Sequence, residues 1–329
     1  MRRLCPIPIL LAIMVGCDAT RETPAEAGRL SVVASLHPIA SLVQEVGGDL
    51  VAVRTLLPPG ADAHSYDASP RMAEALSGAD LVVRVGVLDD WLGDRGRADH
   101  LVLTDRITLR GSRCHDHDHG PDHGPDHDPD HDQGHDRGVE PRRDPGAERG
   151  ELGNPHVWLD PILVRDTILP DIVEALAARA WDAEMEAEFR RRGAAFADSL
   201  TALDAELRDL LRDVPTRAFV AAHPAWVYFA DRYGLEEIGA LHPSPGREVG
   251  ARELARLVDQ VRVRGGAAVI AEPQLGRAGV DALARELGVR VEVADPVGGQ
   301  GREGREDYLS LMRYNGRAFA RALGGSTGQ

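Results

Sequence analysis

The sequence predicts an α/β protein in two lobes, each a four-stranded parallel sheet flanked by helices, the two joined by one long helix. Three observations predict it. Short apolar runs alternate with segments of helical period on both sides of the chain's midpoint, the signature of parallel strands connected by helices. Between the two alternating regions lies a stretch of about thirty residues, Ala183 to Arg212, with apolar residues every three or four positions. Several strands run directly into histidine, carboxylate and proline, which places chemistry at the carboxyl ends of the strands, where ligands of such sheets gather.

In the first lobe, Leu30 to Leu36 reads as a buried strand, followed by His37-Pro38 and an amphipathic helix over about Ile39 to Val46 that Gly47-Gly48 stops. Leu50 to Leu57 is a second strand. It enters the turn Pro58-Pro59-Gly60-Ala61-Asp62-Ala63-His64-Ser65-Tyr66, where two prolines stiffen the backbone ahead of His64. A helix over Ser69 to Ser77, a strand over Leu81 to Val85 and a short strand over Leu101 to Leu103 complete the alternation.

The pattern then collapses. Residues 111–153 hold His115, His117, His119, His123, His127, His131 and His135 among aspartate, glycine and proline. The last five recur at every fourth position, a spacing that would stack them on a helix, but Pro121, Pro125 and Pro129 forbid one. The segment reads as a flexible, extended insertion that binds divalent metal loosely, with imidazole favouring zinc, copper or nickel. The bland alternative is a solvated acidic linker.

The octapeptide Asn154-Pro155-His156-Val157-Trp158-Leu159-Asp160-Pro161 follows, held out of a helix by its prolines. Asp160-Pro161 reads as an N-cap followed by proline at the first helical position. Apolar residues at helical spacing continue to Arg179, with Pro170 marking a break or restart. The thirty-residue stretch after it makes a rod of about 45 Å, most simply a strut between the lobes, and Pro215 ends it.

The second lobe repeats the plan. Strands are read at Ala218 to Ala222, Leu235 to Leu241, Ala267 to Ala271 and Val289 to Ala294, ending respectively at His223-Pro224, His242-Pro243, Glu272-Pro273 and Asp295-Pro296. Helices are read at Ala225 to Tyr233, Val249 to Arg264 and Val280 to Leu287, with Gly234 and Gly288 closing the first and third. A last helix covers Asp307 to Leu323.

At 329 residues the chain is long enough for two cores. Its formal charge of -15 argues against nucleic acid as a partner and suits a surface that tolerates cations. Arg2 and Arg3, then an apolar run from Leu4 to Val15, form an export signal too short to be a permanent membrane span. Met14-Val15-Gly16-Cys17 resembles a bacterial lipobox in which Cys17 is lipidated, with Asp18 resembling a signal for retention at the inner membrane. The organisation is thus 1–17 signal, 18–29 tether, 30–182 N-terminal lobe carrying the insertion 111–153, 183–213 linker helix and 214–325 C-terminal lobe. With Cys5 removed and Cys17 acylated, Cys114 stands alone and no intrachain disulfide forms.

His64, His156, His223 and Asp295 lie just past strands or on proline-braced turns, two from each side of the linker helix. Three imidazoles and a carboxylate make a nearly closed shell for zinc, suited to holding the ion rather than activating water. His37 is read as packing or as a supporting contact, and Glu272 either as a hydrogen-bond partner of a ligand histidine or as a brace of the turn at Pro273. His100 and His242 are read as exposed loop residues, and Trp91, Trp158 and Trp226 as core and cleft wall.

The chain resembles the metal-binding receptors of bacterial ABC importers, the cluster A-I or cluster 9 solute-binding proteins, and in particular their zinc-type members. The turn Leu57 to Tyr66, the octapeptide, His223 with Tyr228 through Leu235, Glu272-Pro273-Gln274, Asp295-Pro296 and Tyr308 through Asn315 carry the resemblance, in family order. It implies a metal site in the interlobe cleft, with His64, His156 and His223 as ligands and Asp295, or water, as the fourth. It implies Zn²⁺ as cargo, delivered by a monomer on the outer face of the inner membrane to an ABC permease with a cytoplasmic ATPase, and no enzymatic activity. Manganese-type relatives carry glutamate where His223 stands, so manganese or broad divalent binding is the near alternative. A zinc hydrolase with Glu272 as base, and a surface metal buffer or adhesin relying on the histidine-rich insertion, are the alternatives of other classes.

Overall fold

The computed structural model describes residues 28–67, 69–93, 96–111, 153–244 and 246–325. The signal segment, Cys17, Cys114 and all seven histidines of the insertion lie outside them. Four strands, β1 (Leu30–Ala34), β2 (Val51–Thr55), β3 (Leu81–Arg84) and β4 (Asp99–Val102), pair in parallel in the order β2-β1-β3-β4. Four more, β5 (Ala218–Ala221), β6 (Glu236–Ala240), β7 (Ala268–Ala271) and β8 (Val291–Val293), repeat the plan as β6-β5-β7-β8, again all parallel. In each sheet the chain moves outward from the first strand to the second, then crosses back to the third. The strand order therefore reverses beside β1 and beside β5, and the crevice this leaves at the carboxyl ends is where ligands bind in such sheets. His37 follows β1 and His223 follows β5.

Helices α1 (His37–Gly47) and α2 (Pro70–Ser77) belong to the first lobe. After the octapeptide, a helical turn at Pro161–Leu163 widens into a π-helical stretch, Val164–Ile168, before α3 (Leu169–Ala177). Pro170 sits in the first turn of α3. It has no N–H to return to a carbonyl four residues back, and the widened turn ahead of it is where the ladder adjusts. Long helix α4 (Ala183–Leu210) starts on Asp182, whose carboxylate accepts from the Met185 N–H. Met185, Phe189, Phe196, Leu200, Leu203 and Leu207 form its buried stripe. At Gly193 an added Cβ would lie 2.4 Å from Val173 Cγ2, so α3 and α4 approach more closely than any side chain permits.

The second lobe adds α5 (Val227–Tyr233), α6 (Ala251–Val263), α7 (Ala278–Leu287) and α8 (Tyr308–Ala322). Helix α4 packs on α1 and α3 from one lobe and on α8 from the other. Buried apolar residues of both lobes, Val32, Trp158, Phe219 and Phe319 among them, form one continuous cluster with its stripe. Two smaller clusters line the outer faces of the two sheets.

The structure departs from expectation at edges. The fourth strand is Asp99–Val102 rather than Leu101 to Leu103, which puts His100 within β4, half-buried and not in an exposed loop. His242 is likewise half-buried, its N–H bonded to the Ala222 carbonyl (2.8 Å), which carries the pairing of β6 with β5 past the strand.

Glu237 on β6 is 4% exposed, and burial first, then the charge of Glu272, pushes its carboxyl from 4.5 up to about 8. Between those values the folded protein holds a proton the unfolded chain has lost, so stability falls as pH rises through that window. At 1.36 kcal/mol per pH unit the loss is up to roughly 5 kcal/mol. Urea unfolding at pH 5 and pH 8 is expected to show a loss of stability with pH that is smaller in Glu237→Gln than in the wild type, the difference between the two profiles being the contribution of this carboxyl.

Candidate metal centre

His64 sits on the turn that leaves β2. Its N–H donates to Asp62 Oδ1 (3.0 Å) and the Ser65 hydroxyl donates to Asp62 Oδ2 (2.9 Å), so Asp62 is spent on shaping the turn. His156 is buried in the octapeptide. Asn154 Oδ1 accepts from the His156 N–H (3.0 Å) and lies 2.9 Å from Nδ1 of the same ring. An amide oxygen there holds the proton on Nδ1 and leaves the Nε2 lone pair free to bind.

Asn154 is in turn held by the second lobe: its Nδ2 donates to the Pro224 carbonyl, and the Tyr228 hydroxyl donates to its carbonyl (2.9 Å). Trp158 Nε1 donates to the Pro296 carbonyl (2.8 Å) and the Tyr308 hydroxyl to the Trp158 carbonyl (2.7 Å). The octapeptide is thus a first-lobe segment seated in second-lobe partners.

His223 follows β5, with Nδ1 2.5 Å from Glu272 Oε2. Glu272, just past β7, also accepts from Trp226 Nε1 (3.2 Å) through its other oxygen. That contact turns His223 Nε2 toward the other two rings. Nε2 of His64 and Nε2 of His223 lie 3.3 Å and 3.2 Å from Nε2 of His156, and the ring centroids are 5.0 to 5.3 Å apart. All three ligand atoms fall within 4.8 Å of one another. Zinc–nitrogen bonds of about 2.0 to 2.1 Å in a tetrahedron require nitrogen–nitrogen edges of about 3.3 to 3.4 Å. The two measured edges match that figure.

The charges are arranged unequally. Burial, then the neighbouring rings of His223 and His64, hold His156 well below the usual imidazole value. Burial also disfavours charge on His223, but the Glu272 carboxylate, with Asp62 behind it, overrides this and raises it. A proton retained by the cluster therefore resides on His223.

Asp295, read from the sequence as the fourth ligand, does not join this group. Its oxygens are 1% exposed as a residue and are taken by Gln274 Nε2 (2.7 Å), the N–H groups of Val297 and Gly298 (3.1 and 2.9 Å) and Arg305 Nη1 (3.0 Å). His37 is a cross-lobe contact, its Nε2 donating to the Glu306 carbonyl (2.8 Å). Sequence reasoning missed the roles of Asn154, Asp62 and Arg305. The first two sit two residues before a ligand histidine, the offset of an Asx turn, and were findable on that signal.

Two parallel-sheet lobes on a shared long helix, with three imidazoles from both lobes converging in the cleft, define a two-lobed metal-binding protein of the periplasmic-receptor class. The chain belongs to the ZnuA family, described as zinc-uptake complex component A, periplasmic, which it matches over residues 32–322. It is 33% identical over 327 residues to the high-affinity zinc uptake system protein ZnuA of Paracoccus denitrificans, covering 97% of this chain and 98% of that one. It is 26% identical over 331 residues to the zinc-binding lipoprotein AdcA of Streptococcus pneumoniae serotype 4, covering 95% of this chain but spanning only 60% of that relative's length. A crystal structure of a ZnuA deletion mutant with zinc bound superposes with a TM-score of 0.69 at 25% identity, covering 91% of this chain and 100% of that one.

Proposed function

We propose that this chain is an extracytoplasmic receptor that captures Zn²⁺ with His64, His156 and His223 and delivers it to an ABC permease powered by a cytoplasmic ATPase. The observation that carries the proposal is the convergence of the three rings, with the Nε2 atoms of His64 and His223 at 3.3 Å and 3.2 Å from that of His156, two edges close to those of a zinc tetrahedron. Zinc-uptake relatives over nearly the whole length support the same reading. Residues 30–182 and 214–325 act as the lobes and 183–213 as the linker. The receptor works as a monomer tethered through acylated Cys17 to the outer face of the inner membrane, while the insertion's histidines raise the local metal supply. No helix among the described residues is long and apolar enough to cross a membrane.

Manganese is the near alternative. Three nitrogens with no carboxylate in the group favour zinc over a metal that prefers hard oxygen. The hydrolase reading needs Glu272 as a base on metal-bound water. Glu272 instead faces Nδ1 of His223, on the side of the ring away from the converging Nε2 atoms, and is engaged by Trp226.

The test is zinc titration by calorimetry of a chain lacking residues 112–152. One tight ion per chain is expected to remain; near-complete loss of binding would move the assignment to a metal buffer or adhesin working through the insertion. Affinity in that deletion variant is expected to fall as pH drops through the raised value of His223, since imidazole must be neutral to coordinate and binding expels the proton. His156, held low, does not compete until the solution is far more acid.

A further inference from the structure

Helix α5 begins four residues past His223, and its sequence sets Tyr228 and Arg232 four positions apart, on one face. Both side chains leave the second lobe and reach the octapeptide, one at each of its ends. The Tyr228 hydroxyl donates to the Asn154 carbonyl (2.9 Å), and Arg232 Nε lies 3.6 Å from Asp160 Oδ1. His156 stands between these two points.

Each grip is itself held. Tyr228 is 2% exposed; its hydroxyl accepts from the Arg110 N–H (3.1 Å), and the Arg110 carbonyl accepts from the Asn154 N–H (2.6 Å), which closes a ring of three hydrogen bonds. Arg232 presents a fork: Nε and Nη2 donate to the two carboxylate oxygens of Asp204 (2.8 and 3.0 Å) on α4, the helix both lobes pack against. Asp160 in turn caps the helical turn that follows the octapeptide. A further contact lies just ahead of α5, where Asn154 Nδ2 donates to the carbonyl of Pro224, the residue after His223.

One short helix thus fixes where His156 stands relative to His223. Asn154 passes the grip on, since its Oδ1 meets both the N–H and Nδ1 of His156 (3.0 and 2.9 Å). The resulting Nε2 to Nε2 separation is 3.2 Å, close to the edge of a zinc tetrahedron. An ion with longer nitrogen bonds needs a wider edge. Widening this one pulls the octapeptide away from α5 and breaks hydrogen bonds that are buried.

We propose that Tyr228 and Arg232 are positioning residues that determine metal specificity: gripping the octapeptide at both ends, they hold the His156–His223 edge at the width of zinc and disfavour a larger divalent ion such as cadmium. The proposal rests on the receptor reading above. A site already set to the width of one ion binds that ion without reorganising, and binds a wider one only by giving up contacts.

The experiment is competition of Zn²⁺ and of Cd²⁺ with a chelator of known affinity, at no more than one ion per chain, for the whole chain as wild type, Tyr228→Phe and Arg232→Lys. Tyr228→Phe removes one oxygen and keeps the ring in the core. Arg232→Lys keeps a charge beside Asp204 but has no fork to span two carboxylates. Zinc affinity is expected to fall about tenfold in each variant, the lower end of what outer partners of a metal ligand are worth, and cadmium affinity by no more than about twofold. The zinc-to-cadmium ratio then drops about fivefold or more. A grip that serves the fold alone would lower the melting temperature of the metal-free protein and leave that ratio where it was. An unchanged ratio overturns the proposal, whether the two affinities fall together or neither moves. Should Arg232→Lys fail to fold, Tyr228→Phe decides by itself. A wild type that holds no zinc against the chelator overturns the receptor reading and the proposal with it; a wild type that holds zinc, beside folded variants with the same ratio, overturns the grip alone.

Discussion

His156→Ala is expected to weaken zinc binding by about a hundred- to a thousandfold in calorimetry while the protein stays folded. Zinc held in a protein site is worth roughly 10 to 16 kcal/mol, and divided over three or four ligands each carries about 3 to 4 kcal/mol. At 1.4 kcal/mol per factor of ten this gives the stated loss. His156 is the apex of the group, since both measured nitrogen–nitrogen edges start from its Nε2. Removing it leaves His64 and His223 without the partner that sets their spacing. Thermal melting of the metal-free variant checks that the fold survives. Undiminished affinity in a folded variant would place the ion elsewhere.

Glu272→Gln is expected to cost about ten- to a hundredfold in affinity, the usual effect of losing an outer partner of a ligand histidine. The amide keeps the shape, but its single oxygen cannot serve both the His223 ring and the Trp226 indole. The variant also carries a sign. The Glu272 carboxylate is what raises His223 against the pull of burial; without it the imidazole gives up its proton more readily. The pH at which acid displaces zinc is therefore expected to move downward. Titrations across pH 5 to 8 separate this shift from a uniform loss of affinity, which leaves the midpoint unmoved.

Much of the fold was legible because its determinants are local. Buried runs such as Val32-Val33-Ala34 and Phe219-Val220-Ala221, punctuated by glycine and proline, can only be strands covered on both faces. The stripe Phe189, Phe196, Leu200, Leu203 and Leu207 announces a helix that packs along its whole length. β4 was misplaced by two residues because an edge strand is covered on fewer sides, and its alternation Asp99-His100-Leu101-Val102 dilutes the apolar signal. The three histidines were legible because a stiff turn, past a strand for His64 and His223 and in the proline-braced octapeptide for His156, fixes the direction of the side chain. Asp295 occupies the same kind of position, and nothing local distinguishes a carboxylate that faces an ion from one that faces donors. The decision lies with Gln274, Arg305 and Asn315, ten to twenty-one residues away in sequence and adjacent only after folding.

The seating of the octapeptide in the opposite lobe bears on how loaded and empty receptors differ. Opening the cleft like a clamshell would strip the Trp158 indole and the Tyr308 and Tyr228 hydroxyls of their partners at once, in surroundings where water cannot replace them. Overall dimensions are therefore expected to stay nearly constant on zinc binding, and small-angle scattering profiles of the zinc-loaded and zinc-free protein should superpose. On the proposed receptor function, a transporter would then have to recognise the zinc-loaded form by a change confined to one rim, not by a change of silhouette.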